Sequence, residues 1–158
     1  MNCRNCSEID EIEAGTHGYA IARLSSGYVW LNPTQYHRGA VFFVARQCVA
    51  ELFELEVGTR GEHLMEMAAV AAAAQRAVGA RKMNYEALGN GVPHLHWWLT
   101  PRHHDDPRPA GPIWEDLDFL RLLWTKGAVV HSEASVGVRK RILDELSLEQ
   151  IVIEATYV

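Results

Sequence analysis

The sequence predicts a single α+β domain in which a mostly antiparallel sheet packs with one long helix and a short helix, followed by a C-terminal helical extension. Two patterns support this fold class. Short β-branched and aromatic runs stand on both sides of one long helical segment, and further helical segments come near the end of the chain. The composition agrees, because 158 residues with a hydrophobic fraction of 48% and a charged fraction of 22% suit one globular domain with a sizeable core.

The first part of the chain has the residue types of short strands and turns. Residues 18–24 and 27–31 are typical of two strands joined by a Ser-Ser-Gly turn. Residues 32–35, Asn-Pro-Thr-Gln, predict a turn. The continuous β-branched and aromatic run at 39–44 predicts a buried strand, and residues 51–55 predict a short helix.

The clearest helix is predicted over residues 62–78, where apolar side chains recur at three- and four-residue steps. We expect this stripe to pack on the sheet, because a stripe of Met and Ala at helical spacing is typical of a core-facing helix. Its members are Leu64, Met67, Ala68, Ala71, Ala74 and Val78.

Two more strands are predicted after this helix, at residues 81–87 and 94–100, with a glycine-containing loop at 88–93 between them. Pro101 is expected to end the second of these strands, because proline lacks the N–H that a ladder needs.

The last part of the chain begins with a proline-rich, charged loop at residues 101–112. Helical patterns follow at 113–124 and 138–146, and residues 149–157 predict a final strand.

Charge and hydropathy exclude several classes of partner. Fifteen Lys and Arg against twenty Asp and Glu give a formal net charge of −5, which disfavours a nucleic-acid polymer as partner because phosphate backbones attract an excess of basic residues. The first six residues are polar and lack the apolar stretch of a secretory signal. The longest apolar run, residues 67–74, is far shorter than the roughly 20 residues of a membrane-spanning helix. We therefore expect a cytoplasmic protein without membrane contact.

The three cysteines cannot form a closed set of disulfides. Cys3 and Cys6 have a Cys-x-x-Cys spacing, which suits one metal ion held by a tight turn. The same spacing is also compatible with two thiols at a frayed terminus, and the spacing by itself does not decide between the two interpretations.

The segment from His94 to Leu99 is the richest in chemistry. Side chains alternate between the faces of a strand, so His94, His96 and Trp98 are expected on one face. Two imidazoles placed about 6.6–6.8 Å apart along a strand can do different work in one site, one binding a metal and the other attacking a substrate. The alternative is a pair of histidines on a half-exposed strand.

Around this segment the sequence resembles the histidine triad (HIT) family, whose signature is three histidines alternating with hydrophobic residues. The resemblance lies in residues 82–90, in Val92-Pro93-His94-Leu95-His96-Trp97, and in Pro101-Arg102. It covers residues 1–114, predicted to form the HIT-like domain, whereas residues 115–158 are expected to be an extension packed on that domain or on a dimer. The resemblance implies a two-layer α+β fold, a homodimer, and activity on nucleoside phosphates.

The resemblance also implies roles for single residues. His96 would be the nucleophile that attacks the α-phosphorus of a nucleotide or dinucleoside polyphosphate, with its other ring nitrogen donating to a carbonyl. Asn90 and the backbone around Gly91 would donate to the phosphate oxygens. Asn32 would bind the ribose hydroxyls, unless it is only a turn residue before Pro33. Two further substrate contacts are implied, Asn84 and Arg102, the second of these toward a distal phosphate.

A structural zinc site is implied by the same resemblance. Its ligands would be Cys3, Cys6, Cys48 and His94, with Cys48 where the family usually has a histidine. Cysteine is an equally good tetrahedral ligand for zinc, and this assignment uses all three cysteines.

Trp98 occupies the third position of the triad and leaves two functions open. The preferred function is a hydrolase or nucleotidyltransferase that forms a nucleotidyl-histidine, and the alternative is a catalytically weak nucleotide-binding or regulatory protein. The indole N–H is not a transferable proton at neutral pH, so if Trp98 faces the pocket we expect phosphate leaving groups to be processed and amine leaving groups poorly.

Overall fold

The computed structural model describes residues 3–108, 110–124 and 133–158. Within these ranges, six antiparallel strands form one sheet in the order β4-β5-β3-β2-β1-β6, and four α-helices and two short 3₁₀ turns accompany it. The predicted α+β fold class is confirmed. The strands are β1 Ala20–Leu24, β2 Gly27–Leu31, β3 Val41–Ala45, β4 Lys82–Glu86, β5 His96–Arg102 and β6 Ile153–Thr156. The helices are α1 Arg4–Glu13, α2 Val57–Val78, α3 Leu117–Trp124 and α4 Glu133–Leu146, and the 3₁₀ turns are Leu52–Glu54 and Ile113–Glu115.

One face of the sheet, called here the helix face, packs against α2 and α4. Alternate strand residues point to this face and meet the apolar sides of the two helices, which removes both surfaces from water. The fully buried side chains of this core include Leu24, Val29, Leu31, Phe43, Val70, Leu99, Ile142 and Leu146.

The opposite face, called here the open face, bears the residues of interest for function. The register places Trp30, Phe42 and Trp98 opposite one another on β2, β3 and β5, and Val44 opposite His96. Helix α1 covers the end of this face near β1 and β2, where Ile12 packs in a cluster with Tyr28, Trp30 and Val44. Phe42 packs against this cluster and connects it to Trp98 on β5.

Helix α2 is longer than predicted, and the predicted stripe does face the core: Met67, Ala71 and Ala74 pack in the cluster on the helix face. The helix begins at Val57, and Ala68 of the predicted stripe is exposed. Hydrophobic periodicity could not find the buried positions of His63 and Glu66, because both residues are polar. The helix ends at Gly79, whose φ of 63° is a left-handed conformation that glycine adopts without strain.

Strand β5 begins and ends two residues later than predicted. It starts at His96, so His94 precedes the strand, and it continues through Pro101 to Arg102. Pairing with β3 stops at Leu99, whereas pairing with β4 continues from Leu99 to Arg102. Pro101 is tolerated because β3 no longer needs a ladder donor from β5 there.

The cysteine pair lies on a helix and not in the predicted tight turn. Cys3 is the N-cap of α1, and Cys6 follows within its first turn. The side chains of Ile9 and Ile12 pack on the open face and hold this helix to the sheet.

The chain after residue 132 is part of the same packed structure. β6 pairs with β1, and Arg76 on α2 forms ion pairs with Glu145 and Glu149 at 2.7 and 2.6 Å. The boundary expected at residue 114 stays a prediction.

We expect Leu146→Ala to lower the free energy of unfolding by about 2–5 kcal/mol, because Leu146 is fully buried between α4 and the sheet. Leu148→Ala is the matched control: Leu148 is 75% exposed, so a change within about 0.5 kcal/mol is expected. Chemical denaturation of both variants makes the measurement. If Leu146→Ala lowers the free energy of unfolding no more than Leu148→Ala does, the packing of α4 in the core is contradicted.

Candidate active site and metal centre

His96, the predicted nucleophile, is fixed in one tautomer by the backbone. Its Nδ1 lies 2.6 Å from the carbonyl oxygen of His94. A carbonyl can only accept a hydrogen bond, so Nδ1 bears the proton and Nε2 retains a free lone pair. The side chain lies at the start of β5, on the open face, and the residue is 8% exposed. This is the arrangement that nucleophilic attack by an imidazole needs.

His94 has the opposite tautomer. Its Nε2 lies 2.7 Å from the carbonyl oxygen of Ala45 and therefore donates. Its Nδ1, left without a proton, lies 3.3 Å from Cys3 Sγ and 3.6 Å from Cys6 Sγ. The ring is fully buried, so water does not reach this lone pair. A metal ion bound together with the neighbouring thiols would be a suitable partner for it.

The four predicted metal ligands come together. The ligand atoms of Cys3, Cys6, Cys48 and His94 all lie within 4.8 Å of one another. In tetrahedral zinc sites with Zn–S of about 2.3 Å and Zn–N of about 2.0–2.1 Å, sulfur and nitrogen ligands are about 3.5 Å apart. The two sulfur–nitrogen distances to His94 bracket this value. The cluster is therefore compatible with zinc.

The thiols of the cluster influence one another. Burial raises the pKa of Cys3, but the hydrogen bond from the Cys6 backbone and the interactions with the His94 ring and the other two thiols outweigh it and lower the pKa to about 7. Burial and the neighbouring thiols raise the pKa of Cys6 to about 12. Crowded thiols cannot all ionise without a cation, which is the electrostatic condition for binding a soft divalent metal.

Three separate parts of the chain supply these ligands. Cys3 and Cys6 come from the start of α1, Cys48 from the segment after β3, and His94 from the segment before β5. Backbone hydrogen bonds join the last two segments, from Leu95 N to Val49 O at 2.7 Å and from Ala45 N to Leu95 O at 2.9 Å.

Trp98 lies on the open face in a row of aromatic residues. Its ring meets Phe42 edge-on with centroids 4.8 Å apart, and Phe42 in turn lies 6.0 Å from Trp30. On its other side Trp98 pairs with Glu86 of β4. The third motif position is thus an aromatic surface, half-buried, between β3 and β4.

The predicted substrate contacts differ in how exposed they are. Asn84 pairs with Thr100 and shares the open face, and Asn90 and Gly91 are exposed in the loop before His94. A Cβ atom at Gly91 would meet no atom within 4 Å, so the loop borders open space. Asn32, by contrast, is buried, and its Oδ1 accepts hydrogen bonds from the N and Oγ1 of Thr34, both at 3.0 Å. This is the turn conformation that the sequence leaves open as the alternative.

No protein-family model and no curated protein matches the chain. Among solved structures, a histidine triad protein from Sinorhizobium meliloti 1021 is similar, with 27% sequence identity and a TM-score of 0.66 over 86% of this chain and 93% of that one. A histidine triad protein from Marinobacter aquaeolei VT8 is 26% identical, with a TM-score of 0.67 over 85% of this chain and 90% of that one. These neighbours support the recognition of the chain as a histidine triad (HIT) protein, whose fold it shares. A zinc-bound family protein from Mycobacterium smegmatis shares the fold at 15% identity, with a TM-score of 0.61 over 93% of this chain and 94% of that one.

In this HIT protein, no helix of the described ranges has the length and apolarity that crossing a membrane requires.

Arg102 departs from the predicted contact with a distal phosphate. It is buried, and its Nε binds Asp106 at 2.9 Å while Nη1 and Nη2 donate to the carbonyl oxygens of Gly111 and Arg108. The guanidinium therefore holds the loop after β5 in place. These bonds use three of its five N–H donors and fix the guanidinium in the loop, so the role that the structure gives Arg102 is to support this loop.

Behind β5, on the helix face, a hydrogen-bonded chain that the sequence did not predict supports the strand. Trp97 Nε1 donates to His63 Nε2 at 3.1 Å, and His63 Nδ1 lies 3.0 Å from Ser26 Oγ. Ser26 Oγ donates to Glu66, which also accepts the backbone N–H groups of Ser25 and Ser26 at 3.0 Å. Because Trp97 can only donate, His63 must bear its proton on Nδ1. This chain ties α2 to the residue that follows His96.

We expect the ring of His63 to titrate with a pKa of about 4, because burial disfavours its charged form. The unfolded chain takes up this proton below its ordinary value of about 6.5, so His63 should lower stability progressively as the pH falls from about 6.5 to 4. An NMR titration of the His63 ring, assigned with His63→Gln, makes the measurement. A midpoint near 6.5 would contradict the buried, neutral ring.

Proposed function

We propose that this HIT protein is a nucleotide hydrolase or nucleotidyltransferase that forms a covalent nucleotidyl intermediate on His96. The observation that supports this most directly is the hydrogen bond from His96 Nδ1 to the His94 carbonyl oxygen. It frees Nε2 for attack on the α-phosphorus, with the leaving group departing opposite the imidazole. Water or another acceptor then attacks the same phosphorus and releases His96.

The substrate class we propose is a nucleotide or dinucleoside polyphosphate bound on the open face. Asn84, on the open face, would contact the substrate, and Asn90 and the backbone of Gly91, exposed in the loop before His94, would donate to its phosphate oxygens. Asn32 would reach the ribose with its amide N–H₂, since Thr34 already donates to its oxygen.

A second candidate function is a catalytically weak nucleotide-binding or regulatory protein. The observation that favours it is Trp98, which packs edge-on against Phe42 and has no proton to transfer. Such a protein would bind nucleotide on the same face and never accumulate the nucleotidyl-histidine.

We also propose that Cys3, Cys6, Cys48 and His94 hold a structural zinc ion. The lone pair on His94 Nδ1 and the three converging thiols support this ligand set. Four protein ligands close a tetrahedral shell, so the metal would have no open position for substrate. Its contribution is to hold α1 and the His94 backbone in place. Homodimerisation and a cytoplasmic location, which the sequence analysis expects, remain predictions.

Protein purified without a metal-affinity tag should contain about one zinc ion per chain, and chelation should lower its Tm because the metal binds only the folded cluster. Cys48→Ser should lose much of the zinc, whereas Cys48→His should keep it, since both Cys and His are good ligands. Elemental analysis with thermal unfolding makes the measurement. Metal-free protein of unchanged Tm would contradict the site.

Brief incubation with an α-labelled dinucleoside polyphosphate, followed by denaturation, should leave acid-labile label on the wild-type chain. His96→Ala should leave none, because the only bond that fixes the label is the one to His96 Nε2. His104→Ala, at an exposed loop residue, is the matched control and should be labelled like the wild type. Nucleotide binding without any label would favour the second candidate function.

A further inference from the structure

Glu86 is a carboxyl side chain beside the position where the family motif has its third histidine. It pairs with Trp98, so its side chain leaves the sheet on the face that bears His96. Directly opposite residues in an antiparallel pair have Cβ atoms about 4.5–5.5 Å apart, and diagonal neighbours, such as Glu86 and His96, are about 7–8 Å apart. A nucleotide reacting at His96 would therefore bring its leaving group within reach of this carboxyl.

The Glu86 carboxyl is buried without the bonds that normally accompany burial. The residue is 9% exposed, and neither Oε1 nor Oε2 has a hydrogen-bond partner within the described parts of the chain. Glu66, on the helix face, is 2% exposed, yet both of its oxygens accept hydrogen bonds from Ser25 and Ser26. Buried polar groups nearly always have hydrogen-bond partners, so the unpaired carboxyl oxygens of Glu86 indicate a place for a bound molecule.

The surroundings shift the pKa of this carboxyl upward, toward retention of its proton. Burial raises the pKa of Glu86 above its ordinary value, whereas Asn84, Arg102 and Thr100 act in the opposite direction without cancelling the effect. Arg102 is the charged group that faces it, and that guanidinium is engaged with Asp106 and the loop after β5. A neutral carboxyl has an O–H to donate, which an ionised one lacks.

We propose that Glu86 is a catalytic proton donor to the leaving group, and that it does the work for which Trp98 has no proton. The inference rests on the proposed function at His96. A proton from Glu86 allows the departure of a basic leaving group, such as an amine. Amine leaving groups are disfavoured if residue 98 is considered alone, and Glu86 removes that restriction.

The step balances as follows. His96 Nε2 donates its lone pair to the α-phosphorus, and the bond from phosphorus to the leaving nitrogen or oxygen breaks with its electron pair. The O–H bond of Glu86 breaks, and its proton passes to that leaving atom. In the second half-reaction the Glu86 carboxylate takes a proton from the attacking water, a P–O bond forms, and the bond from phosphorus to Nε2 breaks. Both side chains return to their starting states.

The test compares two nucleoside 5′-phosphate derivatives that differ only in the leaving group. One has an alkylamine, which must be protonated, and the other has p-nitrophenolate, which leaves unprotonated. Glu86→Gln should lower kcat for the amine derivative by roughly 10²–10⁴-fold, the usual contribution of a general acid, and should change the nitrophenyl derivative little. Glu62→Gln, at an exposed glutamate on α2, is the matched control and should alter neither. Adding Trp98→His to Glu86→Gln should restore amine turnover, because an imidazole again stands at the third position.

Two measurements separate this inference from the proposed function. If the wild type forms no nucleotidyl-His96 from the nitrophenyl derivative, the proposed function fails. If the label forms and Glu86→Gln slows both derivatives equally or neither, the Glu86 inference fails while the function of His96 stands. Infrared difference spectra of wild type against Glu86→Gln should lose one protonated-carboxyl C=O band, and a carboxylate band in its place would also overturn the inference.

Discussion

Two backbone carbonyl oxygens decide what each histidine of the motif can do. The carbonyl of Ala45 accepts a hydrogen bond from His94 Nε2–H, and the carbonyl of His94 accepts one from His96 Nδ1–H. Each ring is left with one lone pair, at His94 Nδ1 toward the thiols and at His96 Nε2 on the open face. Neighbouring imidazoles of one strand segment thus have opposite tautomers, and the metal centre and the nucleophile depend on this one arrangement of the backbone.

The arrangement depends in turn on how the segment before β5 lies against the segment after β3. Hydrogen bonds at Leu95 join these segments, and the cluster of thiols adds a second connection through His94. Helix α1 supplies two of the thiols and is itself held by the apolar contacts of Ile12 with Tyr28 and Trp30. A metal at the cluster would therefore stabilise the carbonyl that orients His96, while remaining remote from the reacting phosphorus.

Alternation along β5 was predictable from the sequence, and so was the convergence of the cysteines on His94. Helix α1, the buried polar residues of α2 and the contacts of Arg102 could not be predicted in this way. Helix α1 has only Ile9 and Ile12 as apolar signals in a charged stretch, which is too little for periodicity to find. The buried face of α2 includes His63 and Glu66, whose burial is stabilised by hydrogen bonds from β5 and from the β1–β2 turn. The resemblance implied that Arg102 contacts a phosphate, because the sequence cannot show that the carbonyl oxygen of Gly111, nine residues later, accepts a hydrogen bond from its guanidinium.

The two buried glutamates show how bonding separates a structural carboxyl from a reactive one. Burial acts on both in the same direction and raises the pKa of each. Glu66 accepts three hydrogen bonds and closes the turn between β1 and β2, so its oxygens have no capacity that a substrate would use. Glu86 faces Trp98 across the β4–β5 ladder with both oxygens unbonded among the described residues. An unbonded buried carboxyl costs about 1–3 kcal/mol, and a molecule bound on the open face would supply the missing bonds. With tryptophan at the third motif position, the proton donor is therefore Glu86 on β4 and not a histidine on β5. Both positions lie on the open face.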